Sequence, residues 1–212
     1  MFGLPKDRVA YAWRCLREEG VIITAGRGRS APRVSALDAA HLLIAVVVDF
    51  PPKDTIESWR EYSQMKPLRR SGPEIPERWS FEQCGVEGLD LPMLTSLPDE
   101  HTFADALAAM IAEAGDGSLR AFDQKAGGLQ TIVELSNSGP PVTIAMIVGP
   151  ERRSVVLVYT NETGDEEPGE TNENDPTLES DGSPYLTSTR TFHINTLIKL
   201  GELVAGDGRG KQ

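Results

Sequence analysis

The chain has little of several residue types, and each shortage excludes a class of protein. Only 2 of its 212 residues are cysteine, too few for a disulfide scaffold. The longest apolar run, Leu42–Val48, is far shorter than the ~20 residues that a membrane-spanning helix requires. Met1–Gly20 is charged and has no continuous apolar core, so no signal peptide is predicted. We therefore expect a cytoplasmic protein.

Positive charge is also scarce, but it is concentrated at one end of the chain. The sequence has 21 Lys and Arg against 32 Asp and Glu, and its net charge is −11. The first 34 residues carry seven cations and three acids, a net charge of +4, so the remainder carries −15. An asymmetry of this size is typical of a nucleic-acid-binding segment on an acidic protein. The alternative interpretation is an ordinary fluctuation of charge along the sequence.

Motifs for catalysis and for metal or nucleotide binding are missing. His41, His101 and His193 are not at metal-ligand spacing from one another or from the cysteines. Gly26-x-Gly28 lacks the third glycine of a dinucleotide site and the Gly-Lys-Ser/Thr ending of a P-loop. We predict no catalytic residue, no metal and no cofactor. An enzyme with an unrecognised site in the C-terminal sheet is the alternative, but no convergent His, Cys and carboxylate set supports it.

The N-terminal 50 residues read as helix, hairpin and helix. A first helix is predicted from Pro5, because apolar residues recur at helical spacing until Gly20 ends it. Val21–Thr24 is a short strand candidate, 25–32 is a glycine-rich basic loop, and Arg33–Val34 is a possible returning strand. Ser35 and Asp38 resemble a capping box that opens a second, nearly all apolar helix. That helix should be buried and should hold the first helix and the loop in place.

These residues resemble the winged helix of the MerR and phage-excisionase class. The resemblance rests on Arg14-x-Leu16-Arg17-Glu18-Glu19-Gly20-Val21-Ile22, the basic loop, and Ser35-x-x-Asp38-Ala39-Ala40-x-Leu42-Leu43, about a quarter of the chain. Small terminase subunits of some tailed phages, and uncharacterised prophage-encoded proteins, are similar to the same pattern. The resemblance implies a recognition helix, a wing and double-stranded DNA as the partner.

The resemblance assigns DNA-binding roles by position. Four cations would lie on or beside the recognition helix: Lys6, Arg8, Arg14 and Arg17. Three would belong to the wing and touch phosphate or the minor groove: Arg27, Arg29 and Arg33. Gly26 and Gly28 would permit a tight wing turn, and Ser30 would donate to a phosphate. The alternative for Arg14 and Arg17 is pairing with Glu18 and its neighbours on a solvated face.

The rest of the chain predicts an α+β unit with an antiparallel sheet of about four strands. Residues 51–100 read as a linker with one short helix at Thr55–Tyr62, and 66–76 resembles linker. In 101–212, a capping box at Thr102–Asp105 opens a helix to about Ala114, with Gly115 as its end. Four strand candidates and a last helix from Asn195 to Val204 follow: Leu129–Leu135, Val142–Val148, Ser154–Tyr159 and Tyr185–Ile194. The acidic tract 161–182 is predicted to be a mobile loop.

The sequence therefore predicts a phage- or prophage-type DNA-binding protein, most simply a transcriptional regulator. A single winged helix offers little contact area, so a homodimer or higher homo-oligomer is expected, with the C-terminal unit serving assembly or a protein partner. One alternative is a DNA-packaging protein similar to a small terminase, which a ring-shaped oligomer would favour. The other is an adaptor or inhibitor without DNA binding.

Overall fold

The computed structural model describes residues 5–22, 34–47, 54–67, 96–98, 100–136, 142–148, 153–161 and 189–206. Within these ranges the chain forms six helices and five strands. In chain order they are α1 Lys6–Glu18, α2 Ala36–Val47, α3 Thr55–Ser63, β1 Lys66–Pro67, α4 Phe103–Asp116, α5 Ser118–Ala126, β2 Leu129–Ser136, β3 Val142–Val148, β4 Arg153–Thr160, β5 Thr189–His193 and α6 Ile194–Gly206. The protein is α+β, as predicted. No helix of this described part is long and apolar enough to cross a bilayer.

The sheet is antiparallel throughout and has the order β1-β4-β3-β2-β5. β2, β3 and β4 form a meander, which the turn signals between them predicted. β5 lies on the far side of β2, so that Val133 has Phe192 and Ile144 as its two neighbours. β1 pairs with the other edge of the meander, where Lys66 lies opposite Thr160. Both outer strands therefore come from parts of the chain distant from the strands they join.

One face of the sheet is buried, as the alternation of side chains in β2 shows. Leu129, Val133 and Leu135 are buried, whereas Gln130 and Glu134 between them are exposed. Successive strand residues point to opposite faces, so the apolar row is confined to one side. This face meets the helices, and the ring of Phe103 in α4 lies 5.4 Å from that of Tyr159 in β4.

α4 is the central helix of the core and begins with the capping box predicted for it. The Thr102 side-chain oxygen accepts the Asp105 N–H at 3.2 Å, and the Asp105 carboxylate accepts the Thr102 N–H at 2.8 Å. Two N–H groups at the helix start are thereby satisfied. α4 packs against α6 on one side and against α2 on another.

The three N-terminal helices share this core. α2 buries Ala40, Leu43 and Ile44, and α1 adds Ala12 and Leu16 to the same apolar cluster. α2 is thus the buried helix that its composition predicted. Because buried side chains run continuously from α1 through α2 into α4, the N-terminal helices have a rigid base. The division at residues 50 and 100 stays a prediction.

Several local expectations were wrong, each for a physical reason. Gly115 does not end α4 but lies inside it against α6, and the helix ends at Gly117, whose φ is +94°. The sequence analysis also did not predict α5, which has a glycine at each end. Lys66–Pro67, expected in a linker, forms the edge strand β1. The acidic tract beyond Asn161 and the start of the fourth strand candidate lie outside the described residues.

Candidate nucleic-acid interface

α1 presents one side to the core and the other to solvent. Ala12 and Leu16 are buried, and Val9 and Trp13 pack against the same cluster. The helix begins after Pro5, whose carbonyl accepts the N–H groups of the first turn. Proline is well suited to this position because it has no N–H to leave unsatisfied. One side of α1 is fixed, so its opposite side is held in place.

The end of α1 is closed by the glycine that the sequence predicted. Gly20 has a φ of +74°, a conformation that favours glycine. Its N–H donates to the Arg17 carbonyl at 3.0 Å, and the N–H of Val21 donates to that of Leu16 at 2.9 Å. This pair of bonds is a Schellman motif. It places Val21 and Ile22 in the turn, so the strand predicted to start at Val21 was wrong for these two residues.

Three of the predicted cations lie together on the exposed side of α1. Lys6, Arg14 and Arg17 are all exposed, and at about 100° per residue they fall within about 80° of the helix circumference. Ala10, also exposed, lies between them. We call Lys6, Ala10, Arg14 and Arg17 the α1 strip. With a rise of about 1.5 Å per residue, its cations span about 16 Å along the helix axis.

Arg8 is not part of the α1 strip. It is half-buried and lies about 120° around the helix from Arg14. The structure thus separates Arg8 from the three cations with which the sequence grouped it. Asp7 and Glu18, both exposed, border the strip on one side without interrupting it.

The expected alternative, pairing with Glu18, occurs for Arg14 only as a loose contact. Arg14 Nε lies 3.9 Å from Glu18 Oε1, and the two side chains are 58% and 64% exposed. An exposed pair of this kind contributes at most about 1 kcal/mol. The side chains of Lys6 and Arg17 form no ion pair with any residue in the described ranges. The strip therefore stays open to a polyanion.

Glu19, just beyond the strip, is occupied elsewhere. Its carboxylate lies 3.3 Å from Arg60 Nη2 of α3. Nothing in the sequence paired these residues, because they are 41 positions apart and the contact depends on how α1 meets α3. The pair partly neutralises one acid near Arg17, but both partners are exposed and it adds little to the stability of α1.

α2 braces α1, and its own start is the capping box predicted from Ser35 and Asp38. Ser35 Oγ accepts the Asp38 N–H at 3.0 Å, and Asp38 Oδ2 accepts the Ser35 N–H at 2.8 Å. Further along, His41 Nδ1 accepts the indole N–H of Trp59 at 3.1 Å, which joins α2 to α3. Burial lowers the pKa of His41, so the neutral form that can accept this bond is favoured.

The predicted wing lies outside the described residues. This holds for its glycines, arginines and serine: Gly26, Arg27, Gly28, Arg29, Ser30 and Arg33. Val34, the expected end of the returning strand, is exposed and has no strand conformation. The assignment of the wing to DNA stays a prediction from the sequence.

His101 stabilises the fold through two hydrogen bonds. His101 Nδ1 donates to the Pro98 carbonyl at 2.7 Å, which fixes its tautomer because a carbonyl only accepts. His101 Nε2 then accepts the hydroxyl hydrogen of buried Tyr159 at 3.0 Å. Burial raises the pKa of Tyr159. Among the described residues, no group of three or more His, Cys, Asp or Glu side chains could hold a metal ion.

No family model, curated protein sequence or solved structure matches the chain.

Proposed function

We propose that this protein binds double-stranded DNA through the α1 strip. The observation that carries the proposal is that Lys6, Arg14 and Arg17 share one exposed face of a helix, with Asp7 and Glu18 only at its border, although the whole chain has a net charge of −11. An acidic protein repels DNA at long range, so its contact must be made by a local cationic surface. The strip supplies one such surface.

The dimensions of the strip suit the DNA backbone. The Lys6 and Arg17 side chains leave the helix about 16 Å apart along its axis, and the major groove is about 12 Å wide. If α1 crosses the groove, two long cationic side chains at this separation reach the phosphates on both sides of it. Ala10 keeps the middle of the strip shallow, which lets the helix approach closely.

The braced position of α1 adds to the affinity. A helix that is already ordered loses little conformational entropy on binding. α1 is fixed by Ala12 and Leu16 in the core and by its Schellman end at Gly20. The wing arginines predicted from the sequence, Arg27 and Arg29, would extend the phosphate contact beyond the strip.

The most economical role for such a protein is a phage- or prophage-type transcriptional regulator in the cytoplasm. One helix face buries much less than the ~1,000–2,500 Å² of protein surface typical of specific DNA complexes. The protein therefore acts as a homodimer or higher homo-oligomer, assembled through its C-terminal sheet and helices, which would also receive any protein partner.

Salt-dependent titration of the full chain on duplex DNA tests the proposal. Each phosphate contact contributes about 0.9 to the slope of log affinity against log salt. The variant Lys6→Ala/Arg14→Ala/Arg17→Ala should lower this slope by about 2–3. A matched control, Arg120→Ala/Lys125→Ala/Lys199→Ala, removes the same charge from exposed positions of α5 and α6 and should leave the slope unchanged. Equal slopes for the two variants would refute the proposal.

A further inference from the structure

The three cations of the α1 strip differ in how firmly they are held. Arg14 alone contacts side chains on both sides of it along the helix, Tyr11 one turn before and Glu18 one turn after. In the described part of the chain, the Lys6 and Arg17 side chains have no such contacts. Long side chains held by neighbours lose less entropy when they bind. Arg14 is therefore the one suited to a contact that requires fixed geometry.

The contact of Arg14 with the Tyr11 ring restricts where its guanidinium group lies. The guanidinium carbon lies 5.3 Å from the centroid of the Tyr11 ring, within the range of a cation–π contact. On the other side, the approach of Glu18 is to Nε.

The terminal nitrogens of Arg14 stay available for a ligand. No residue of the described ranges accepts a hydrogen bond from Arg14 Nη1 or Nη2. These two nitrogens form a planar fork that matches a pair of acceptors side by side. In the major groove, guanine presents such a pair, O6 and N7. Phosphate oxygens can accept the same fork, but a phosphate contact carries no information about the base sequence.

The position of Arg14 agrees with this chemistry. Along the helix axis it lies about 4.5 Å from Arg17 and about 12 Å from Lys6, and it leaves the helix about 60–80° around from both. If those two neutralise phosphates, Arg14 projects in a different direction, from which it can reach a base edge. We propose that Arg14 reads a guanine in the major groove, with Tyr11 and Glu18 as positioning residues, while Lys6 and Arg17 bind phosphate. This inference rests on the proposed DNA binding and adds a specificity to it.

Selection of duplexes from a random-sequence pool by the full chain tests the inference. The wild type should enrich guanine at one position of the recovered site. Arg14→Lys keeps the charge but removes the fork, so it should lose the preference for guanine by about tenfold and leave the salt slope unchanged. Arg17→Lys is the matched control and should recover the same site as the wild type.

The Tyr11 variant separates positioning from folding. Tyr11→Leu removes the ring under Arg14, and we expect it to weaken the guanine preference while the salt slope and the urea midpoint stay near those of the wild type. Salt-dependent binding without any base preference, or a preference that survives Arg14→Lys, would overturn the role of Arg14 and leave the proposed function standing. Failure of the wild type to bind any duplex would overturn the proposed function itself.

Discussion

The backbones of α4 and α6 approach each other closely where Gly115 and Gly201 meet. A Cβ atom built on Gly201 would lie 2.4 Å from the Gly115 nitrogen, 2.6 Å from the Ile111 carbonyl oxygen and 2.7 Å from the Ala114 carbonyl carbon. All three are backbone atoms of α4, so no side chain can rotate away. Gly201→Ala must therefore push the two helices apart.

The cost of this substitution follows from the packing it disturbs. Forcing extra atoms into a packed core costs about 1–3 kcal/mol and occasionally more. We take the upper end, because a shift of about 1 Å weakens contacts along the whole α4–α6 interface. The better helix propensity of alanine returns about 1 kcal/mol. The net loss in the free energy of unfolding should be about 2 kcal/mol, which lowers Tm by about 4–8 °C.

Two further glycines on the same helices allow the destabilisation by Gly201→Ala to be compared with that of similar substitutions. A Cβ on Gly115 would lie 2.8 Å from the Gly201 carbonyl oxygen, whereas one on Gly206 would meet nothing within 4 Å. Urea unfolding should thus rank the alanine variants with Gly201 most destabilised, Gly115 next, and Gly206 near the wild type. If Gly201→Ala and Gly206→Ala unfold at the same urea concentration, α4 and α6 do not approach as closely at Gly201 as the structure shows.

Three other substitutions test the contacts that hold the core. Thr102→Ala removes the cap that bonds to Asp105 and should cost about 1 kcal/mol in urea unfolding; no loss would exclude that cap. Tyr159→Phe leaves His101 Nε2 without its donor and should lower the free energy of unfolding by about 1–1.5 kcal/mol. An unchanged free energy of unfolding would show that the hydroxyl does not donate to His101. Burial lowers the pKa of His41, so the unfolded chain takes up the proton first and stability falls as the pH drops below about 6.5. His41→Gln should remove that part of the decline between pH 7.5 and 5.5; an unchanged profile would contradict it.

Local signals predicted those parts of the fold that local chemistry decides. The two capping boxes, at Ser35 and Thr102, were visible because a hydroxyl and an acid three residues later satisfy the N–H groups at a helix start. Val142–Val148 was recognised as a strand between turn signals. In each case the residues that determine the structure are adjacent in sequence.

Features that depend on distant contacts were not predictable in this way. Gly115 reads as a helix end by composition, but its role is to admit Gly201 from α6, which is 86 positions away. Lys66–Pro67 has no strand periodicity and becomes a strand only because β4 offers an edge. The pairing of β5 with β2 likewise follows from packing, since sequence order would have placed β5 beside β4.

In the candidate site, too, some features follow from neighbouring residues and others from distant contacts. Helical spacing places Lys6, Arg14 and Arg17 on one face once the limits of α1 are known. The sequence alone grouped Arg8 with them, because the direction of the core, which decides which face is exposed, depends on α2 and α3. The contact of Arg14 with Tyr11 could have been inferred from their spacing of three residues.

The central claim is that the exposed face of α1 meets DNA, and one matched pair of variants tests it most directly. Ala10→Glu places an acid in the middle of the α1 strip, and Ala205→Glu places the same acid at an exposed position of α6. Affinity for duplex DNA should be measured by fluorescence anisotropy at one low salt concentration. We expect Ala10→Glu to lose about tenfold or more, about 1.4 kcal/mol, and Ala205→Glu to stay within about twofold. Equal affinities for the two variants would contradict the account.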